Sequence, residues 1–162
     1  VAGDRRGGPR AGAVSAAKVR PSSDDGHDVV FARRHPNDGP TQACPGRDFL
    51  NDCPVAVRAK MRAVLVAVAA APPKRFAGGG YWEAMHGDMS GWFEVRVDGP
   101  PKRTHYRLFC LLDYQAQGVD KPLLVVIDGR AKAFRTTLDD REYQAVRALG
   151  SEYLSHQPRA VM

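Results

Sequence analysis

The chain has 162 residues and a formal net charge of +6, from 24 Lys and Arg against 18 Asp and Glu. Such a length suits one hydrophobic core of roughly 100–200 residues plus an extension, so a second full domain is not expected. The positive balance excludes a plain acidic scaffold and points to an anionic partner, because clustered Lys and Arg gain affinity by releasing counterions from a polyphosphate. Cys44, Cys53 and Cys110 are odd in number and form no CxxC pair, so neither a disulfide framework nor a zinc site is indicated, and a reducing cytoplasm is the expected compartment. The longest apolar run, the alanine-rich 63–71, falls far short of a membrane span, and residues 1–20 lack the leucine-rich stretch of a secretory signal.

Residues 1–26 consist mostly of Gly, Ala, Pro, Ser and Arg, with too little apolar surface to offset the entropy of ordering, which predicts a disordered basic tail with order beginning near His27. Residues 28–33 (DVVFAR) are β-branched and precede a turn-rich stretch, as an edge strand would. A short helix over 45–53 carries Phe49, Leu50 and Cys53 on one side and stops at Pro54, which suits the first turn of the next helix. There Val57, Met61, Val64, Leu65 and Val68 form an amphipathic stripe ended by Pro72 and Pro73. The two helices make a hairpin with one apolar face. Gly78, Gly79 and Gly80 read as a flexible turn.

Three β-rich segments follow, 92–97 (WFEVRV), 105–112 (HYRLFCLL) and 123–127 (LLVVI). The loops between them are too short for a parallel crossover, so an antiparallel meander is expected. A closing helix runs from Asp139 to about Ser155, begins at a capping sequence of Thr137 or Asp139 backed by Asp140 or Glu142, and carries Tyr143, Val146, Leu149 and Tyr153 on one side. The expected fold class is α+β: a helical hairpin packed on a small, mostly antiparallel twisted sheet with a C-terminal helix. It occupies residues 27–157, followed by a short tail at 158–162.

The strand period of two places Phe93, Val95 and Val97, with Leu108, Cys110 and Leu112, on the face that must meet the helices. Arg96, His105 and Arg107 then gather on the other face, with Arg130, Lys132 and Arg135 along its rim. Guanidinium groups there suit a reaction that builds charge on phosphorus oxygens, such as attack of a ribose 2′-hydroxyl on the adjacent phosphate. A histidine near neutrality, His105 or His86, can carry protons. Against this stands the plainer alternative that each arginine is solvated or ion-paired, Arg96 with Glu94 or Glu83 for example.

Other constellations are weaker. His86 and Asp88 in MHGDM have no partner at ligand spacing, and no metal site is expected from His27, His35, His86, His105 and His156. The triple glycine lacks the Lys and Ser or Thr of a phosphate loop. Trp82, Trp92, Tyr106 and Tyr114 can stack on bases, although aromatics of a half-buried sheet more often belong to the core.

The order of these motifs, a helical hairpin, YWEAMHGDMSGWFEVRVDG, HYRLFCLL, VVIDGRAKAFRTT and a final helix, resembles the RelE/ParE toxin superfamily of bacterial type II toxin–antitoxin systems, especially its HigB-like and phage Gp49-like branch. The resemblance implies a RelE-like fold and a cofactor-free mRNA interferase, an endoribonuclease acting at the ribosome and neutralised by a helix-turn-helix antitoxin. Its E-x-R core falls on Arg96, its Y-R pair on Tyr106 and Arg107, and its basic turn on Lys132 with Arg130. The expected catalytic set is Arg96, Arg107, Lys132 and His105, with Arg130, Arg135 and Tyr106 binding RNA; some RelE-like enzymes place a tyrosine near the C-terminus at the scissile site, whereas Tyr143 here falls within the expected closing helix, a departure from that pattern. The alternatives are a ParE-like inhibitor of DNA gyrase and a non-catalytic binding module.

Overall fold

The elements follow one another as β1 (Asp28–Phe31), α1 (Pro45–Asp52), α2 (Val55–Ala70), β2 (Trp82–Ala84), β3 (Trp92–Gly99), β4 (Thr104–Asp113), β5 (Leu123–Lys132) and α3 (Asp140–Leu154), with a 3-10 turn at Gly87–Met89. This is the arrangement in a computed structural model, which describes residues 22–71, 73 and 80–162. Residues 1–21 of the expected tail, and Pro72, Gly78 and Gly79, lie outside the described residues. Residues 22–26 form a turn, with Asp25 N–H donating to the Ser22 carbonyl. His27 is buried beneath it, its Nδ1 2.8 Å from the Asp25 carbonyl and its Nε2 3.1 Å from the Tyr114 hydroxyl.

The strands form one sheet in the order β1-β5-β4-β3-β2. β3, β4 and β5 make the expected meander, β1 pairs with β5 in parallel at one edge, and β2 pairs with β3 antiparallel at the other. The class is therefore α+β with a mostly antiparallel sheet. β2 was not expected: WEA is three residues long and becomes a strand through pairing with β3 rather than through its own periodicity.

One sheet face is covered from edge to edge. Leu50 of α1 and Val57, Met61, Leu65 and Val68 of α2 pack on Phe93, Val95, Val97, Leu108, Cys110, Leu124 and Val126. The contact is close enough to require glycine at position 129, where a Cβ would lie 2.0 Å from Phe49 Cδ1. The other face is covered over part of its length. There Val146 and Tyr153 of α3 meet Trp92, Phe109, Leu123, Val125 and Ile127, and Gly150 admits Trp92, whose Cζ2 would stand 2.5 Å from any added Cβ. Of the possible caps, Asp139 is the one used: its side chain accepts from the Glu142 N–H at 2.9 Å while Glu142 Oε2 accepts from the Asp139 N–H at 3.1 Å, a reciprocal capping box.

The end of the chain, read from sequence as a short tail, joins the sheet. Arg33 N–H donates to the Ala160 carbonyl, and Phe31 and Met162 exchange hydrogen bonds at 3.1 and 2.9 Å, so residues 160–162 cover the outer edge of β1. Arg159 anchors this segment with a buried ion pair to Asp113, 2.8 Å from Nε to Oδ2, and the Tyr153 hydroxyl donates to the same carboxylate at 2.7 Å. Burial pushes the Asp113 carboxyl up, but the hydrogen bonds from Arg159, Tyr153 and the Gln115 N–H outweigh it and hold the group below its usual range.

Candidate functional site

Beyond the N-terminus of α3 the second sheet face is polar, and strand register fixes its layout. Directly opposed residues on neighbouring strands project to the same side. Arg96 of β3 stands opposite Arg107 of β4, which stands opposite Arg130 of β5. One row along are Asp98, His105 and Lys132; one row back are Glu94, Phe109 and Asp128. The sequence placed Arg130 and Lys132 in a turn. They are strand residues, because β5 continues through 128–132 by pairing with β4 past the irregularity between Phe109 and Cys110.

Glu94, Arg96, Arg107, Lys132, Leu138 and Tyr143 are among the residues lining a cavity of about 170 Å³ at this place. It adjoins a second of about 440 Å³, which shares Arg96 and Arg107 and extends toward Tyr81, and a third of about 270 Å³, which shares Tyr143 and extends toward His86 and Arg147. The three lie side by side along the part of the face that α3 leaves open, with Arg96, Arg107 and Tyr143 as common walls, and are together termed the groove.

Charges within the groove are nearly balanced. Arg96 lies 3.9 Å from Glu83 and 3.7 Å from Glu94, and Arg107 lies 3.5 Å from Asp98. Arg96, at those longer separations, keeps most of its N–H groups to offer a ligand; Arg107 is largely buried and also donates from Nη1 to the Tyr106 carbonyl at 3.0 Å, so it offers the rest of its fork. Arg130 is nearer to Asp128, at 3.1 Å, and Lys132 is committed to Glu142 of the α3 cap at 2.8 Å. Arg96 and Arg107 are thus the cations best able to take a phosphate, whereas Lys132 ties β5 to α3.

His105 is engaged at both ring nitrogens. Nδ1 lies 2.7 Å from Asp98 Oδ1, and Nε2 accepts from the Arg135 N–H at 3.1 Å. A backbone donor at Nε2 leaves the neutral ring's proton on Nδ1, facing Asp98. The residue holds the loop after β5 and has no free lone pair for a 2′-hydroxyl. Arg135, held there at φ 64°, and Arg103 both lie over the exposed ring of Phe134, 5.3 and 5.5 Å from its centroid, at the groove's end. Tyr106 is a correction: it is opposite Val97 on the helix-covered face, buried, and its hydroxyl donates to the Pro100 carbonyl, so it cannot reach the groove. Alternation from Arg107 already required this.

Two residues that the sequence reading did not place in the site are Glu94 and Tyr143. Burial pushes the Glu94 carboxyl up, and the nearby Arg107 and Arg96 recover only part of the shift. The Tyr143 hydroxyl is also pushed up, first by burial and then by Glu94, and remains a proton-bearing donor near neutrality. No protein-family model, curated protein or solved structure matches the chain. Its functional reading therefore rests on these residues.

Proposed function

We propose that the chain is a toxin of the RelE/ParE kind, an endoribonuclease that cuts mRNA through the groove over β3, β4 and β5, and that a small helix-turn-helix antitoxin restrains it. The observation that carries this reading is the row Arg96, Arg107 and Arg130 on three adjacent strands, with the half-buried Glu94 beside two of its guanidiniums. A row of this kind matches the successive negative groups of a polynucleotide better than the single anion of a small metabolite.

In this reading Arg96 and Arg107 hold the non-bridging oxygens of one phosphate, and the Tyr143 hydroxyl donates to the same group. The ribose 2′-oxygen attacks phosphorus, its proton passes to Glu94, and the P–O5′ bond breaks. The proton returns through water to the departing 5′-oxygen, leaving a 2′,3′-cyclic phosphate and a 5′-hydroxyl. A carboxyl raised above its ordinary range by burial is a better base for this exchange than an unshifted one. Since the groove carries nearly as many carboxylates as cations, RNA must arrive already bent for in-line attack. Such positioning is worth several kcal/mol, about 7–11 in favourable cases, and the ribosomal decoding site supplies it in this proposal.

The test is to add the purified protein, wild type and Arg107→Ala, to a translating system and to the same RNA without ribosomes, and to map the ends. Cutting of translated message by wild type alone supports the reading. Equal cutting of free RNA removes the ribosome from it, while intact message with accumulating double-strand DNA breaks replaces it with gyrase poisoning.

A further inference from the structure

Away from the groove, beyond the other end of α3, the fold assembles a ligand set that spacing along the chain cannot reveal. His35 and Asp38 belong to the turn after β1, and His156 follows α3; Asp38 and His156 are 118 positions apart in sequence. His156 Nε2 lies 2.6 Å from Asp38 Oδ2, His35 Nδ1 accepts from the Asn37 N–H at 3.1 Å, and one ligand atom from each of the three residues falls within 4.8 Å of the others; the two imidazole rings stack with centroids 3.8 Å apart, so one ring must turn for both lone pairs to meet one ion. From the rise of a helix, the place is about 20 Å from Tyr143 at the groove.

We infer that His35, Asp38 and His156 bind a divalent transition metal of the Zn²⁺ type. Two imidazoles and one carboxylate are the donors such ions prefer, whereas Mg²⁺ and Ca²⁺ call for oxygen alone. The supporting residues hold the donors in place. Arg34 grips Glu152 of α3 at 2.7 and 3.1 Å and donates to the Asp38 carbonyl at 2.9 Å, which fixes the turn against the helix. Arg159 donates to the His156 carbonyl at 3.1 Å and to the Leu154 carbonyl at 2.7 Å, which fixes the segment carrying the second histidine. The neighbouring positive charge is compensated, since Arg34 is ion-paired to Glu152.

Without metal, His156 donates its Nε2 proton to Asp38. When an ion takes the Nε2 lone pair, the neutral ring keeps its single proton on Nδ1. The site lies where the turn after β1 meets the end of α3, and metal there acts as a staple for the fold. It is independent of the reading given to the groove.

Equilibrium dialysis of the untagged full chain against Zn²⁺ should find one ion per molecule. His35→Ala, His156→Ala and Asp38→Asn should each weaken binding at least tenfold, and His86→Ala should leave it unchanged. Saturating Zn²⁺ should raise the thermal midpoint of the wild type by roughly 5 °C and leave that of Asp38→Asn unmoved. Asp38→Asn retains size and a hydrogen-bond acceptor, so the test survives a folding defect in a histidine variant. Undiminished affinity in that variant, or a wild-type midpoint indifferent to Zn²⁺, would overturn the assignment.

Discussion

The two faces of the same sheet are built from the same strands and differ in what covers them. On one, α1 and α2 lie over every strand from β5 to β2, and the alternate side chains beneath them are apolar throughout. On the other, α3 covers the half that holds Phe109, Leu123, Val125 and Ile127 and leaves the half that holds Arg96, Arg107 and Arg130 as a groove. The covered face carries stability, and the uncovered half is where charge, cavity and raised carboxyl meet. Substitutions at neighbouring positions of one strand should therefore separate folding from activity.

Leu108 and Arg107 are adjacent on β4 and point to opposite faces. Leu108→Ala should lose about 2–5 kcal/mol of unfolding free energy, as large-to-small core changes do. Denaturant melts would show this, and cleavage per folded molecule should be nearly unchanged. Arg107→Ala should act mainly on the chemistry: a fall of roughly 10²–10³ in cleavage rate, the usual effect of losing one donor to developing charge, with a smaller stability loss of about 1–3 kcal/mol because the largely buried guanidinium also donates to the Tyr106 carbonyl. A Leu108 variant that lost activity without unfolding would break the division between faces.

Tyr143→Phe is expected to lower the rate by about tenfold, in line with loss of one hydrogen bond of about 1.5 kcal/mol, and to leave the melt unchanged. The smallest effect on stability concerns Glu94. Its carboxyl is raised in the folded protein, so its contribution to stability is present below its unfolded pKa and is lost as pH rises through the folded value. Glu94→Gln should remove that loss and raise the thermal midpoint slightly at neutral pH while stopping cleavage. The wild-type rate should climb with pH through an inflection above the ordinary carboxylate range of about 4.3. A melt lowered at neutral pH by Glu94→Gln would mean that Glu94 serves as an ion-pair brace.

The α2 stripe, the meander and the sorting of Phe93, Val95 and Val97 against Arg96 were legible from periodicity, because each is decided within one element. What was not legible depended on partners distant in sequence. The extension of β5 through Arg130 and Lys132 comes from β4, as the apolar run ends at Ile127. Glu94 looked like a salt-bridge partner, and its desolvation comes from burial in the folded sheet, which no local spacing shows. Tyr143 was visible as part of a helix stripe, but its approach to Arg96 and Arg107 depends on how α3 crosses the sheet. His105 had the right chemistry for a proton carrier; the Arg135 N–H that occupies Nε2 is set by a loop conformation no spacing foretells.

The most direct test of the groove is the chemical end left on a cut message. If Arg96 and Arg107 stabilise attack by the ribose 2′-hydroxyl, the upstream fragment made by the wild-type protein ends in a 2′,3′-cyclic phosphate, and a message with a single 2′-deoxy nucleotide at the cut position survives intact. A free 3′-hydroxyl, or undiminished cutting of the deoxy-substituted message, would contradict the account.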